Sequence, residues 1–127
     1  MFVISRIKKL FVFLQAIVIT TMNREKITEE QEQLARFAKA LGHPIRVSIL
    51  QMLAKQICCC HCDMSELLPI AKSTLSQHLN ELKDAGLIHG TVTLPTVKYF
   101  INRKNWELAM SLFDTLLTEV SNSKACC

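Results

Sequence analysis

Residues 71–88, AKSTLSQHLNELKDAGLI, set the tightest limit on what this chain can become. At about 100° per residue Leu75, Leu79 and Leu82 fall within about 60° of one another, so they form one narrow buried stripe along a helix. Gly86 supplies the left-handed stop. Directly after it the pattern changes to short β-prone runs, LIHGTVTL (87–94) and VKYFIN (97–102), separated by Pro95 and Thr96. This reads as a two-stranded hairpin, although the connection has no Asn-Gly or Asp-Gly and its type stays open.

Upstream, Thr28 followed by Glu29, Glu30 and Gln31 has the form of a capping box, and Leu34, Phe37, Ala38 and Leu41 recur at helical spacing until Gly42. Pro44 suits the first turn of a second helix, with Ile45, Ile49, Met52 and Leu53 as its buried stripe. Met64 to Leu68 is a short helical stretch closed by Pro69. Beyond the hairpin, Asn102 or Asn105 caps a last helix whose Trp106, Ala109, Met110, Phe113, Leu116, Leu117 and Val120 form a broad apolar face. So much apolar surface on a terminal helix is most simply explained by dimerisation. The order helix, short helix, turn, long helix, hairpin predicts a mainly α fold with a β-hairpin wing: a dimeric winged helix-turn-helix.

The chain has 127 residues, enough for one domain with a real core. Its formal charge is +4, but residues 1–21 hold Arg6, Lys8 and Lys9 and no acid, and the remainder has 12 basic residues against 11 acidic. Global charge is therefore a weak argument for nucleic acid. The opening MFVISRIKKLFVFLQAIVITT has a basic start and an apolar run from Leu10 to Ile19, about half of the roughly 20 residues a membrane span needs. No usual cleavage site follows. Residues 1–21 read as an uncertain extension from an over-extended start, with an extra packing helix or a membrane-associated segment as alternatives. Residues 22–120 form the expected winged helix-turn-helix domain, and 121–127 a tail ending in Cys126 and Cys127.

If the leucine stripe faces inward, the opposite side of the long helix is centred on Ser73, Gln77, Asn80 and Asp84, with Thr74 and Ser76 flanking. Hydroxyl and amide groups there can bond base edges and phosphates, and Gln can bond adenine through two hydrogen bonds. Lys72 and the amides at the helix start form a phosphate clamp. His78 lies nearer the buried edge, where a core-flanking role and a DNA contact are equally open. Lys98, Arg103 and Lys104 around the hairpin are candidate backbone contacts.

The other feature is QICCCHCDMSE, residues 56–66, with Cys58, Cys59, Cys60 and Cys62 inside five positions. Six cysteines crowded in this way are not a secreted disulfide framework; thiols that await a ligand in a reducing cytoplasm are the better reading. On an ideal helix Cys58 and Cys62 share a side, as do Cys59 and Cys62, whereas Cys60 and Cys62 stand about 200° apart and need a distorted backbone to share an ion. Three sulfurs in a trigonal pyramid suit arsenite or antimonite. Four ligands suit tetrahedral zinc or cadmium. His61 reads as a solvated or supporting residue more than as a ligand, and Cys126 and Cys127 as a second thiol site, a contribution to the partner's site, or neither. A thiol-based reductase would want a Gly- and Arg-rich anion loop around its cysteine, and none surrounds these. The expectation is no enzyme.

ALGHPIRVSIL (40–50), CHCD (60–63) and STLSQHLNELKDAGLI (73–88), in that order, resemble the ArsR/SmtB family of winged-helix metal-responsive repressors, with the similarity covering Gln31 to Trp106. The resemblance implies a homodimer built on first and last helices that holds operator DNA until a thiophilic ion weakens the complex. Arsenic-sensing members are most similar at Cys60 and Cys62; their third cysteine aligns with Ser65, so Cys58 or Cys59 would replace it. That makes arsenite or antimonite the first expectation, then zinc, cadmium or lead, then a thiol redox switch. The chain departs from the family at the wing tip, where TLPTVK (93–98) has one lysine and a proline. It departs again in the last helix, where Asp114 and Glu119 stand without the histidines of the family's alternative zinc site.

Overall fold

The computed structural model describes Leu14, residues 27–56 and residues 60–124, without the side chain of Cys62. The chain divides into two compact units, 1–32 and 33–127. Within the first, the Thr28 amide donates to Gln31 Oε1 at 2.9 Å and the Gln31 amide donates to Thr28 Oγ1 at 3.2 Å. This reciprocal pair satisfies two donors that a helix start leaves without intrahelical partners.

The elements follow as α1 (Glu29–Leu41), α2 (Pro44–Ala54), α3 (His61–Leu67), α4 (Lys72–Asp84), β1 (Ile88–Thr93), β2 (Thr96–Ile101) and α5 (Arg103–Asn122). In the second unit α2 packs on α4 and β2, α3 packs on the same two elements, and α4 also meets β1. Their shared core is Phe37 and Ala40 of α1, Ile49, Leu50 and Leu53 of α2, Met64 and Leu68 around α3, and Leu75, Leu79 and Leu82 of α4; Leu87, Ile88 and Ala109 close it. The leucine stripe of α4 is at most 1% exposed, and full burial of each such side chain contributes about 1.5–3 kcal/mol. On α1 the buried alanine is Ala40, while Ala38 is exposed. Ala38 stands about 100° from Phe37, and Ala40 only about 60° on the other side.

The end of α4 is a complete Schellman motif. The Leu87 amide donates to the Leu82 carbonyl at 3.0 Å and the Gly86 amide to the Lys83 carbonyl at 2.9 Å, with Gly86 at φ +81°. Leu82 and Leu87, both fully buried, supply the apolar contact that accompanies it. From there β1 and β2 pair antiparallel, from Ile88 opposite Ile101 to Thr93 opposite Thr96. Only Ile88 of β1 is buried. The hairpin is thus rooted at its base and projects as a wing.

Two boundaries differ from the expected ones. Helix α3 begins at His61, three residues before Met64. Cys60 pairs with Lys98 of β2 in an isolated antiparallel bridge, so the chain is held extended at that residue and can coil from the next. Strand β2 begins at Thr96, because register with Thr93 leaves a two-residue turn, Leu94 and Pro95.

Candidate nucleic-acid interface and thiol segment

Helix α4 starts at Ala71, an extended N-cap that makes no side-chain capping bond. The first amides of a helix lack intrahelical partners and carry the positive end of its dipole, so this end is suited to phosphate. Lys72 and Ser73 are exposed beside it, and Gln77 and Asn80 continue the exposed side. Thr74, Ser76 and His78 are half-buried at the edges. Lys98 is exposed on β2, opposite Thr91.

Ser76 is committed within the protein. Its hydroxyl donates to the Lys72 carbonyl at 3.0 Å, and its oxygen lies 2.9 Å from His61 Nε2 on α3. The one hydroxyl hydrogen is used on the carbonyl, so the imidazole must donate, which assigns the hydrogen of a neutral ring to Nε2. His61 is half-buried and bridges the two helices of the helix-turn-helix.

His78 packs against His43 in a tilted ring contact, with ring centroids 4.3 Å apart and planes inclined by 43°. His43 is the extended N-cap of α2: its Nδ1 accepts the Ile45 amide at 3.1 Å, with Pro44 following in the first turn. Burial holds the His78 pKa below its ordinary value, His43 and Arg46 push the same way, and Glu81 opposes them. Arg46 donates from Nη2 to the Lys39 carbonyl at 3.0 Å, while its buried Nε has no hydrogen-bond partner among the described residues.

The thiol segment enters from Gln56, at φ +54°. Cys60 is the half-buried, extended N-cap of α3 (φ −98°, ψ 144°), and Cys62 lies in the first turn. The 200° separation expected of an ideal helix therefore does not hold, because Cys60 is not helical. The backbone departs from helical geometry at Cys60. Cys58, Cys59, the Cys62 side chain, Cys126, Cys127 and the segment 1–21 lie outside the described residues. Among the described residues no three His, Cys, Asp or Glu side chains come together as a metal site. As chemistry, four thiols within five positions of the sequence fit a soft ion.

Three relations had escaped the sequence reading. The cap by His43 was accessible, since a proline at the first helical position makes the preceding residue the N-cap. The His61–Ser76 and Cys60–Lys98 contacts join residues far apart in sequence, across a turn and across the wing, and no periodicity encodes them.

An exposed polar side on a helix anchored by three leucines, with a projecting wing behind it, defines a winged helix-turn-helix DNA-binding regulator. Residues 43–89 match the family model described as bacterial regulatory protein, arsR family. An uncharacterized HTH-type transcriptional regulator of Methanocaldococcus jannaschii is 40% identical over 60 residues, covering 47% of this chain and 67% of the relative. The cadmium resistance transcriptional regulatory protein CadC of Listeria innocua is 29% identical over 91 residues, covering 65% of this chain and 76% of CadC. The crystal structure of an ArsR family transcriptional regulator superposes with a TM-score of 0.65 at 16% identity over 77% of this chain and all of that one, a likeness of fold. The chain belongs to the ArsR family of transcriptional regulators. Regulators of this family bind operator DNA and are not enzymes. No helix among the described residues is long and apolar enough to cross a membrane.

Proposed function

We propose that this chain is a cytoplasmic homodimeric repressor released from its operator when a thiophilic ion binds the thiols of Cys58, Cys59, Cys60 and Cys62. The observation that carries the reading is the position of Cys60. It caps the first helix of the helix-turn-helix and is bridged to the wing at Lys98, so ligation there acts on both elements that face DNA.

In the DNA-bound state Lys72, the α4 amides and Lys98 hold phosphates, while Ser73, Thr74, Gln77 and Asn80 face base edges and Ser76 and His78 flank them. An ion bound at the thiols neutralises thiolate charge and draws the cysteines together. Cys60 and Cys62 then constrain the backbone at the start of α3, and a coupling of about 1–3 kcal/mol weakens DNA binding roughly 5- to 150-fold. Arsenite or antimonite, held by three sulfurs, is the first inducer; Cys58 or Cys59 supplies the third. Zinc or cadmium is the second, and the similarity to a cadmium resistance regulator favours it. The DNA-binding domain spans 22–120, with 1–21 as an extension and 121–127 as a tail.

Fluorescence anisotropy on a duplex spanning the chain's own promoter tests the reading, with arsenite, antimonite, zinc, cadmium and peroxide added in turn. Release by arsenite is expected. Absence of DNA binding at every salt concentration would end the proposal, and release by cadmium or zinc alone would reassign the inducer. Cys60→Ser and Cys62→Ser should each bind DNA normally and fail to respond; a retained response in both would place the ion elsewhere.

A further inference from the structure

We infer that His61 is the residue through which thiol ligation reaches the recognition helix, by its hydrogen bond to Ser76. The inference rests on the proposed release by a thiol-bound ion and names the contact that carries it.

His61 lies between Cys60 and Cys62 in the chain and is the first residue of α3. An ion held by Cys60 and Cys62 closes a ring that contains the His61 backbone, so the dihedrals that bring the two sulfurs together are those that aim the imidazole. That imidazole is anchored on Ser76 Oγ at 2.9 Å, halfway along the α4 surface that faces DNA. The Ser76 rotamer is held by its own hydroxyl, which donates to the Lys72 carbonyl in the first turn of the same helix. On the other side the Cys60 backbone is anchored to Lys98 of β2. With both ends of the segment fastened, a change at residues 60–62 loads the His61–Ser76 bond. The His61 bond is a single hydrogen bond at a half-buried site, and one such bond changes an equilibrium by roughly three- to tenfold. Ion binding and the His61–Ser76 bond thus compete for the same backbone geometry. The ion-free protein keeps α3 and α4 in the arrangement that binds DNA.

The test uses the full chain as wild type, His61→Ala and His61→Gln, the last retaining an N–H donor of similar reach. Two quantities are read: ion binding, from the thiolate absorbance on titration with arsenite and with cadmium, and the ratio of the DNA Kd with saturating ion to that without. The ratio cancels any change in DNA affinity that is common to the ion-free and ion-bound states. All three proteins are expected to show the same absorbance and stoichiometry. The ratio should fall roughly three- to tenfold in His61→Ala and recover in His61→Gln. A wild-type ratio in His61→Ala overturns the inference, and loss of the thiolate absorbance in that variant overturns it by making His61 a ligand. A wild type that binds the ion without losing DNA ends the proposed function and this inference together, whereas a responsive wild type with an equally responsive His61→Ala ends the inference alone.

Discussion

His78 illustrates how a single side chain acquires a property its type does not have. On α4 it is half-buried, in tilted ring contact with His43 and close to Arg46, so its charged form is disfavoured first by burial and then by two neighbouring cationic or potentially cationic groups, against the attraction of Glu81. The folded pKa lies below the unfolded value of about 6.5. The unfolded chain therefore binds more protons as pH falls from that value toward the folded pKa, and stability declines across this window. Above it the histidine is neutral in both states and contributes no pH dependence. Thermal melting between pH 7.5 and 5.5 should show a steeper loss of Tm for wild type than for His78→Gln. Equal slopes would show that His78 titrates alike in both states. In the sequence His78 could be placed only at an edge of the leucine stripe, because its partner His43 comes from another helix.

At the scale of the element, the ends of α4 are governed by different rules. Its start is left open, with Ala71 as a cap that makes no side-chain bond, whereas its end is fully satisfied by the Schellman pair and Gly86. Gly86 is held at φ +81°, its carbonyl accepts the Asn105 side-chain amide at 2.9 Å, and an added Cβ would stand 2.6 Å from that same nitrogen. Gly86→Ala must bear the left-handed strain and displace Asn105. A loss of about 1–3 kcal/mol is expected in urea unfolding at an unchanged m-value. A smaller loss for Gly86→Ala than for Leu79→Ala, which empties a core position at a cost of about 2–5 kcal/mol, would fit this order. Glycine at a helix end and a capping box at Thr28 are local signals, and both were legible in the sequence. The true start of α3 was not, because it is set by the bridge from Cys60 to Lys98, thirty-eight positions along the chain.

At the scale of the whole molecule, α5 carries apolar surface that the described residues leave exposed. Ala109 is buried and Trp106, Leu112 and Phe113 are half-buried against the core, yet Met110, Leu117 and Val120 are 60–63% exposed. At about 100° per residue these three fall within about 80° of one another, so they form a second apolar face. A second copy of the chain is the occupant expected from the family architecture. For the proposed homodimer, Leu117→Glu should convert dimer to monomer in sedimentation velocity at micromolar concentration and weaken operator binding, since a monomer engages one half-site. An unchanged sedimentation coefficient would exclude this face as the contact between two copies.

The sequence by itself determined the succession of elements, the leucine stripe of α4, the glycine stop and the crowding of thiols at residues 58–62. Each of these depends on neighbours within a turn or two, which periodicity and capping chemistry express directly. Only the tertiary structure decided that Cys60 is an extended cap, that His61 is fastened to Ser76, and that His43 rests on His78. Those outcomes follow from packing α2, α3 and β2 around α4. The contacts that tie the thiol segment to α4 and to the wing exist only once a buried core has brought distant residues within hydrogen-bond reach.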